Sequence, residues 1–216
     1  MKHEDSFRHQ GLRRKLVEEL HGKGISNTSV LGAINRVPRH VFMDSGFINF
    51  AYKDQAFPIG SGQTISQPYT VAIQTQLLEI AKHDKVLEVG TGSGYQCAVL
   101  LEMGANVYTI ERQRELFIQA QSVLLHLRYK PYFFFGDGYE GLPAYAPFDK
   151  IIITAGGPDI PEKLLDQLKI GGKLIMPVGN INSQRMTLVE KLSENEYHTS
   201  EHGSFIFVPL LKGKTN

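Results

Sequence analysis

The stretch Val86-Leu87-Glu88-Val89-Gly90-Thr91-Gly92-Ser93-Gly94 decides how this chain folds. It begins as a short apolar run with two β-branched valines, which predicts a buried strand. The alternate glycines that follow lack a Cβ, so the backbone can turn sharply and a ligand can approach it closely. A helix is expected from about Tyr95, and a strand over residues 106–110 ends in Glu111. Nucleotide-binding folds place an acid at about this distance to bind ribose hydroxyls, so the segment predicts a nucleoside site.

The glycine spacing limits which nucleoside can bind. A dinucleotide fingerprint counted from Gly90 needs Gly or Ala at position 95, but this chain has Tyr95, so pyrophosphate binding is disfavoured. The remaining pattern, Glu88 followed by three alternate glycines, resembles the first motif of class I methyltransferases that use S-adenosylmethionine. The alternative is a strand-to-helix turn that binds nothing, because short glycine motifs have low specificity.

Composition favours one α/β domain without a strong charge bias. The chain has 216 residues, enough for one sizeable core, and no change in composition marks a second domain. A formal net charge of +1 provides no basic field that would attract DNA or RNA, so no nucleic acid is an expected partner. The N-terminus lacks an apolar signal-peptide core, and no run reaches the roughly 20 apolar residues that span a bilayer. We expect a cytoplasmic protein without a membrane partner.

The cysteine and the histidines indicate neither a disulfide nor a metal site. Cys97 is the only cysteine and lies among apolar residues, which predicts a small buried side chain. The histidines show neither a metalloprotease helix pair nor a Cys-His ligand spacing. We expect each to be a surface or capping residue, with no metal bound. They are His3, His9, His21, His40, His83, His126, His198 and His202.

Helix and strand patterns alternate after the glycine segment. The predicted elements are a helix over residues 116–127, strands over 132–135 and 150–154, a helix over 161–168 and a strand over 173–178. This alternation predicts an α/β fold with a doubly wound, mostly parallel sheet, whose ligands bind beyond the carboxyl ends of the strands. Gly90, Glu111, Asp137 and Ala155 all fall at predicted strand ends, which supports a site there independently of the glycine motif.

We expect residues 1–216 to form one domain with three parts. Residues 1–68 would hold N-terminal helices outside the sheet and an irregular, functional loop over 44–68. Residues 69–179 would form the cofactor-binding α/β core, in which Gly171-Gly172 ends a helix. Residues 180–216 would add antiparallel strands over 186–192 and 204–208.

Five further blocks resemble the ordered signature of the protein-L-isoaspartate (D-aspartate) O-methyltransferase family. They are Arg36-Val37-Pro38-Arg39, Pro58-Ile59-Gly60-Ser61-Gly62-Gln63-Thr64-Ile65-Ser66-Gln67-Pro68-Tyr69, Gly136-Asp137-Gly138, Gly171-Gly172-Lys173-Leu174-Ile175-Met176-Pro177-Val178-Gly179 and Phe207-Val208-Pro209-Leu210. The resemblance runs from about residue 8 to residue 213, and five ordered blocks are far more specific than one glycine loop. It implies methyl transfer from S-adenosyl-L-methionine to the free carboxyl of L-isoaspartyl, and less efficiently D-aspartyl, residues in damaged proteins and peptides. The implied enzyme repairs proteins, uses no metal and is expected to be a monomer.

The resemblance also implies roles for individual residues. Ser66 takes the position of the family's active-site serine, whose hydroxyl would orient the substrate carboxylate rather than act as a nucleophile. The alternative is that Ser66 only caps the following helix. The implied substrate-binding residues are Thr64, Ile65 and Val208. The implied cofactor-binding residues are Tyr69, Glu88, Gly90, Thr91, Gly92, Ser93, Gly94, Glu111, Arg112, Asp137 and Gly138, with Glu111 on the ribose and Asp137 and Gly138 at the adenine.

The reaction implied by the family needs little acid-base chemistry. A substrate carboxylate has a reference pKa near ~4 and is already ionised at neutral pH, so no general base is required. A small-molecule carboxyl or hydroxyl methyltransferase on the same fold is the main alternative, opposed by the block from Thr64 to Pro68. A nicotinamide dehydrogenase is opposed by Tyr95, and a noncatalytic nucleoside-binding module by the presence of both cofactor and acceptor blocks. The segment Ala155-Gly156-Gly157-Pro158 departs from the family pattern and is expected to alter the wall of the cofactor pocket.

Overall fold

A computed structural model describes residues 4–215. Two helices open the described chain, α1 (Phe7–Gly22) and α2 (Thr28–Arg36), each beginning after a residue whose side chain accepts a backbone N–H. Ser6 caps α1 and Asn27 caps α2, which satisfies donors that a helix start leaves free. Both helices bury one apolar face, and they pack outside the sheet as predicted.

The segment predicted as an irregular loop over 44–68 contains regular structure. Short 3₁₀ turns at Arg39–Phe42 and Ser45–Phe50 lead into an antiparallel hairpin of β1 (Phe57–Gly60) and β2 (Gln63–Ile65). The hairpin turns through Gly60, Ser61 and Gly62, all with positive φ. Strands of three or four residues are too short to give a periodic signal, which is why the sequence did not reveal them. Helix α3 (Pro68–Leu78) then leads into the main sheet.

The central sheet has seven strands and confirms the predicted fold class. The remaining elements are β3 (Lys85–Val89), α4 (Tyr95–Glu102), β4 (Asn106–Glu111), α5 (Arg114–His126), β5 (Tyr132–Phe135), β6 (Phe148–Ile153), α6 (Glu162–Asp166), β7 (Leu168–Asn180), β8 (Ser183–Ser193) and β9 (Glu196–Phe205). Their order across the sheet is β5-β4-β3-β6-β7-β8-β9. The first five strands in this order run parallel, whereas β8 and β9 are antiparallel. The fold is therefore doubly wound with an antiparallel C-terminal part.

The strand order reverses between β3 and β6. Chain connections from β3 run outward to β4 and β5 on one side, and β6 then begins the other side. Val89 pairs with both Ile110 and Ile153, so the three strands end at nearly the same level. A crevice forms at such a switch point, because the loops leaving adjacent strands diverge in opposite directions. The loops after β3, β4 and β6 meet there.

Three predicted elements near the C-terminus were wrong in extent. The helix expected over residues 161–168 covers only Glu162–Asp166, and Gly171 and Gly172 lie inside β7 instead of ending that helix. The final strand is Glu196–Phe205, whereas we expected it over residues 204–208. Residues 196–205 are mostly polar and largely exposed at the edge of the sheet, so they lack the apolar alternation that marks a half-buried strand.

Residues 206–208 instead leave the sheet edge and run across the end of β6. Gly156 donates its N–H to the carbonyl of Val208 over 2.8 Å, and Leu210 donates to the carbonyl of Gly156 over 2.7 Å. Cys97 is buried, as predicted. Among residues 4–215, no helix combines the length and apolar character needed to cross a membrane.

Candidate functional site

A cleft lies at the switch point, beyond the carboxyl ends of β3, β4 and β6. We call it the main cleft; its empty space, counted with the open mouth, is about 810 Å³. Most of the predicted site residues line it: Thr64, Ile65, Ser66, Gly90, Thr91, Gly92, Ser93, Glu111, Arg112, Gly138 and Val208. The structure therefore brings together residues that are separated by up to 144 positions in the chain. Tyr69, Glu88, Gly94 and Asp137 are not among its lining residues.

The glycine loop after β3 is packed too tightly at Gly90 and Gly94 for a side chain there. Gly90, Gly92 and Gly94 all have positive φ, a region that favours glycine. A Cβ at Gly90 would lie 2.5 Å from the hydroxyl of Thr154, which donates to the carbonyls of Gly90 and Val89 over 2.7 and 3.0 Å. Gly94 does not face the main cleft, because a Cβ there would meet Leu124 at 2.9 Å. Contacts with Thr154 and Leu124 thus hold the shape of the loop from the side that faces the protein interior. The opposite side of the loop faces the main cleft.

Glu111 presents a carboxylate to the main cleft from the end of β4. Its side chain is held by two backbone donors: Gly92 N–H to Oε2 over 2.9 Å and Gln113 N–H to Oε1 over 2.8 Å. The residue is only 5% exposed. Each carboxylate oxygen can accept a second hydrogen bond, so the group has capacity for two hydroxyl donors. This arrangement suits a vicinal diol.

Ser66 lies between β2 and α3, where the main cleft meets a second cavity. Helix α3 begins at Pro68 after the N-cap Gln67, and it is Asp54, not Ser66, whose side chain accepts an N–H of its first turn, that of Tyr69 over 2.7 Å. The alternative role of Ser66 as a helix cap is therefore wrong. The main-chain carbonyl of Ser66 accepts a hydrogen bond from Arg39 Nη2 over 3.0 Å. Ser66 lines both cavities.

Arg39 is a fully buried cation that fixes the loop carrying Ser66. Its guanidinium is 0% exposed and also donates to the carbonyls of Ala51, over 2.5 Å, and Gln55, over 3.0 Å. The rings of Phe57 and Tyr95 lie 5.9 and 5.6 Å from its central carbon. Burial lowers the pKa of Arg39 to about 10, so the group remains charged at neutral pH. The sequence placed Arg39 in a motif but did not reveal this function.

The second cavity, here called the side groove, opens beside the acceptor loop. It shares Thr64, Ser66, Thr154 and Val208 with the main cleft and continues along α3 and the end of β9. Tyr69 lies in this groove, with its ring stacked on Phe205 at 6.5 Å between centroids. Tyr69 is thus placed on the acceptor side and not with the residues of the main cleft.

Glu88 lies behind the glycine loop and is 0% exposed. Its Oε2 is 2.5 Å from the Thr109 hydroxyl, which in turn is 2.5 Å from the Thr91 hydroxyl. The Cys97 thiol also interacts with the carboxyl. Burial raises the pKa of Glu88 to about 8, so the carboxyl keeps its proton at neutral pH. Glu88 therefore reaches the cleft only through the chain of hydroxyls that ends at Thr91.

Asp137 and Arg112 hold the C-terminal segment near the cleft. Asp137 accepts the N–H of Tyr139 over 2.9 Å and that of Gly213 over 2.6 Å. Arg112 lines the main cleft and donates to the carbonyl of Gly213 over 2.9 Å. Gly138 lines the cleft, and a Cβ there would lie 2.5 Å from Val89. Residues 209–211, which precede the anchored Gly213, line the same cleft.

Gln96 lines the main cleft and was not predicted from the sequence. It is 7% exposed, and its Nε2 donates to the hydroxyl of Thr75 over 3.0 Å. Its Oε1 is buried without a hydrogen-bond partner among residues 4–215. The available signal was one amide directly before the apolar run of α4, just after the glycine turn. Thr154, which shapes the loop, was missed as well.

One group of potential metal ligands lies far along the chain from these residues. The ligand atoms of Asp5, His9 and His40 are within 4.8 Å of one another. Both oxygens of Asp5 are bonded by the Arg13 guanidinium at 3.0 Å, and a cation already occupies that position. His40 is buried, so the expectation of a surface or capping role was wrong for it; its Nδ1 is 2.7 Å from the Tyr52 hydroxyl. His3 lies outside the described residues.

Comparisons with known proteins agree with one another. Residues 11–215 match the model of the family described as protein-L-isoaspartate(D-aspartate) O-methyltransferase. Proteins named protein-L-isoaspartate O-methyltransferase from Christiangramia forsetii and Flavobacterium psychrophilum are each 59% identical, over 97% of this chain and 99% of the relative. A solved structure with the same name has a TM-score of 0.82 at 29% identity, over 91% of this chain and 65% of that chain.

A second solved structure is similar in fold. It is a Plasmodium falciparum protein described as a protein-L-isoaspartate O-methyltransferase, in complex with S-adenosyl-L-homocysteine. Its TM-score is 0.81 at 24% identity, over 93% of this chain and 99% of that chain. At this identity, the likeness shows the shared fold alone.

Proposed function

The chain belongs to the protein-L-isoaspartate(D-aspartate) O-methyltransferase family, and we propose that it methylates the free carboxyl of L-isoaspartyl and D-aspartyl residues in damaged proteins and peptides. S-adenosyl-L-methionine supplies the methyl group, on an electrophilic sulfonium. The observation that carries the proposal is that one cavity contains both Glu111, on the nucleoside side, and Ser66, on the acceptor side. A methyl donor and a carboxylate acceptor bound there would meet within a single enclosed space.

The residues of the main cleft fit a nucleoside cofactor. Glu111 offers two carboxylate oxygens to the ribose hydroxyls, and the glycine loop lets the backbone approach the ligand. Ile110, Gly138 and Leu210 also line the cleft and offer an apolar surface for a flat base. We assign Gly90, Thr91, Gly92 and Ser93 to the cradle for the cofactor.

We assign Ser66 to the orientation of the acceptor carboxylate. Its hydroxyl can donate a hydrogen bond to one carboxylate oxygen and leave the other directed at the methyl group. Such alignment lowers the barrier to in-line displacement, because a near-attack geometry replaces a free encounter. The carboxylate is already ionised at neutral pH, so no residue has to remove a proton. Thr64, Ile65 and Val208 complete the walls around the acceptor.

The roles of four other residues change from those expected from the sequence. We propose that Glu88 acts through Thr109 and Thr91 to position the cradle, because its carboxyl is fully buried behind the loop. Tyr69 would contact peptide residues that flank the damaged site, because it lies in the side groove. Asp137 would hold the C-terminal segment near the cofactor and not bond the base itself, because it accepts the N–H groups of Tyr139 and Gly213 and does not line the main cleft. Gly94 would shape the loop without contacting the cofactor.

The remaining expectations stay predictions of the proposed function. We expect the protein to be a monomer, to lie in the cytoplasm and to repair isoaspartyl proteins. We expect neither a nucleic acid nor a membrane as a partner. The single domain over 1–216, with parts 1–68, 69–179 and 180–216, is likewise a prediction.

The chemistry of the product tests the proposal. A carboxyl methyl ester is hydrolysed by mild alkali to volatile methanol, whereas a methylated amine or ether is stable under the same conditions. After incubation with methyl-labelled S-adenosylmethionine and an isoaspartyl peptide, we expect nearly all peptide-bound label to become volatile in alkali. Label that stays on the peptide in alkali would exclude a carboxyl acceptor and favour a different methyltransferase on the same fold.

A further inference from the structure

Gln96 lines the main cleft and carries a hydrogen-bond acceptor that no described residue uses. Its side chain is buried, it lines the cleft, and its Oε1 has no partner among the described residues. An unpaired buried amide oxygen destabilises a fold, since it has lost its bonds to water and gained none in return. Such a group at a binding site indicates a ligand that supplies the missing donor.

The hydrogen bonds around Thr75 determine which atom of the Gln96 amide is free. Thr75 Oγ1 lies 2.7 Å from the carbonyl of Val71, so its single proton is donated there. It can then only accept from Gln96, which places Nε2 at Thr75 over 3.0 Å. The other amide atom must be the oxygen, and reversing the amide would set two acceptors against each other.

Topology places Gln96 on the acceptor side of the cleft. Thr75 belongs to α3, and the neighbouring residue Gln74 donates to the carbonyl of Ile153, the last residue of β6. Helix α3 contacts β6 and β7, and the sheet order is β4-β3-β6, so the Gln96 amide, bonded to α3, is turned toward the β6 side, whereas Glu111 ends β4 on the other side. Ser66 directly precedes α3 and lines the cavity together with Thr154, which follows β6.

A cofactor bound through its ribose at Glu111 must bring its sulfur toward Ser66 for methyl transfer. The amino-acid part attached to that sulfur then extends on the β6 side. It carries an ammonium group, which only donates hydrogen bonds, and a carboxylate, which only accepts them. Gln96 Oε1 can pair with the ammonium alone.

We propose that Gln96 is a cofactor-binding residue whose Oε1 accepts a hydrogen bond from the α-ammonium group of S-adenosylmethionine. The inference rests on the proposed function, because it takes the cofactor and its orientation from there. A backbone N–H of the peptide substrate is the competing donor. The ammonium is favoured because Gln96 is only two residues beyond Gly94 of the glycine loop and is not among the residues of the side groove.

Calorimetric binding of three ligands to the full chain tests this inference. S-adenosylhomocysteine has both polar groups, its decarboxylated analogue has only the amine, and methylthioadenosine has neither. For Gln96→Met we expect about tenfold weaker binding of the two amine-bearing ligands, with methylthioadenosine within about twofold of the wild type. Gln74→Met is the matched control, since Gln74 is also a buried amide with an unpaired Oε1 but does not line the main cleft. It should leave all three affinities within about twofold.

The other outcomes overturn the inference. Equal weakening of all three ligands would mean that Gln96 only shapes the nucleoside site. Unchanged affinities with a raised KM for the peptide would assign the oxygen to the acceptor. Should Gln96→Met fail to fold, Gln96→Glu keeps an acceptor at the same place and must retain or strengthen binding of the amine-bearing ligands relative to methylthioadenosine. Failure of the wild type to bind S-adenosylhomocysteine would instead contradict the proposed function itself.

Discussion

The buried guanidinium of Arg39 holds the main-chain carbonyl of Ser66 at 3.0 Å. The same group bonds the carbonyls of Ala51 and Gln55, so one cation fixes three points of the chain around the acceptor loop. These carbonyls replace the hydrogen bonds to water that the guanidinium loses on burial. The three bonds together stabilise a single conformation of the loop. The geometry of Ser66 therefore depends on a residue in a different sequence block.

Replacing Arg39 should impair catalysis more than cofactor binding. A lysine retains the charge but cannot span three carbonyls with a planar fork, so Arg39→Lys should lower kcat about tenfold or more. The Kd for S-adenosylhomocysteine should stay within about twofold. Arg36→Lys is the matched control, because Arg36 is half-exposed and bonds Glu102 at the surface. A purely structural role would instead lower the melting temperature and leave kcat of the folded fraction unchanged.

Ser66→Ala should slow methyl transfer without weakening the cofactor site. The hydroxyl aligns the acceptor carboxylate, and alignment contributes most in the transition state, so kcat should fall substantially. Ser61→Ala is the control, because Ser61 lies in the same hairpin but its hydroxyl bonds Glu115 over 3.0 Å. Steady-state kinetics on an isoaspartyl peptide measures the effect. Wild-type turnover by Ser66→Ala would remove this residue from the site.

Glu111→Gln should weaken binding of S-adenosylhomocysteine by about tenfold or more. Two ribose hydroxyls lose an ionised acceptor, and hydrogen bonds to charged groups are each worth roughly 1.5–3 kcal/mol. Calorimetry on the folded variant is the measurement, and Glu115→Gln, in the first turn of α5, is the control. If Glu111→Gln binds as tightly as the wild type does, the ribose must be held elsewhere.

Glu88 should make folding stability depend on pH. The unfolded carboxyl has a pKa near 4.5, whereas burial raises the folded pKa to about 8. Between these values the folded state binds more protons, so this group's contribution to stability falls as pH rises from about 5 to about 8. The charge of Glu111 also opposes ionisation of this carboxyl, whereas hydrogen bonds from Thr109 and Cys97 favour it and only partly offset the effect of burial.

Glu88→Gln removes that dependence, since an amide does not titrate. Urea unfolding of both proteins should show the Gln variant gaining stability relative to the wild type as pH rises through this range. Two proteins whose unfolding midpoints move in parallel would show that Glu88 ionises at an ordinary pKa.

Local sequence patterns explain which parts of the fold and of the candidate site could be predicted. The glycine turn and Glu111 lie at strand ends, and strand ends in a parallel sheet converge, so their meeting follows from the order of elements. The sequence could not show that Glu88 points behind the loop, because alternation gives the face of a strand and not the position of a ligand. Arg39 and Gln96 form hydrogen bonds with carbonyls and hydroxyls on other elements. Contacts between distant residues cannot be inferred from the sequence pattern around either residue. Strand β9 was misplaced because its polar edge residues lack an apolar period.

Methyl transfer to a matched pair of peptides, identical except for an isoaspartyl or an ordinary aspartyl linkage, tests the central claim most directly. With labelled S-adenosylmethionine and equal peptide concentrations, we expect label on the isoaspartyl peptide and little or none on the aspartyl peptide. The isoaspartyl linkage moves the free carboxyl onto the α-carbon position, and only there should Ser66 align it with the methyl group. Equal labelling of both peptides would contradict the account.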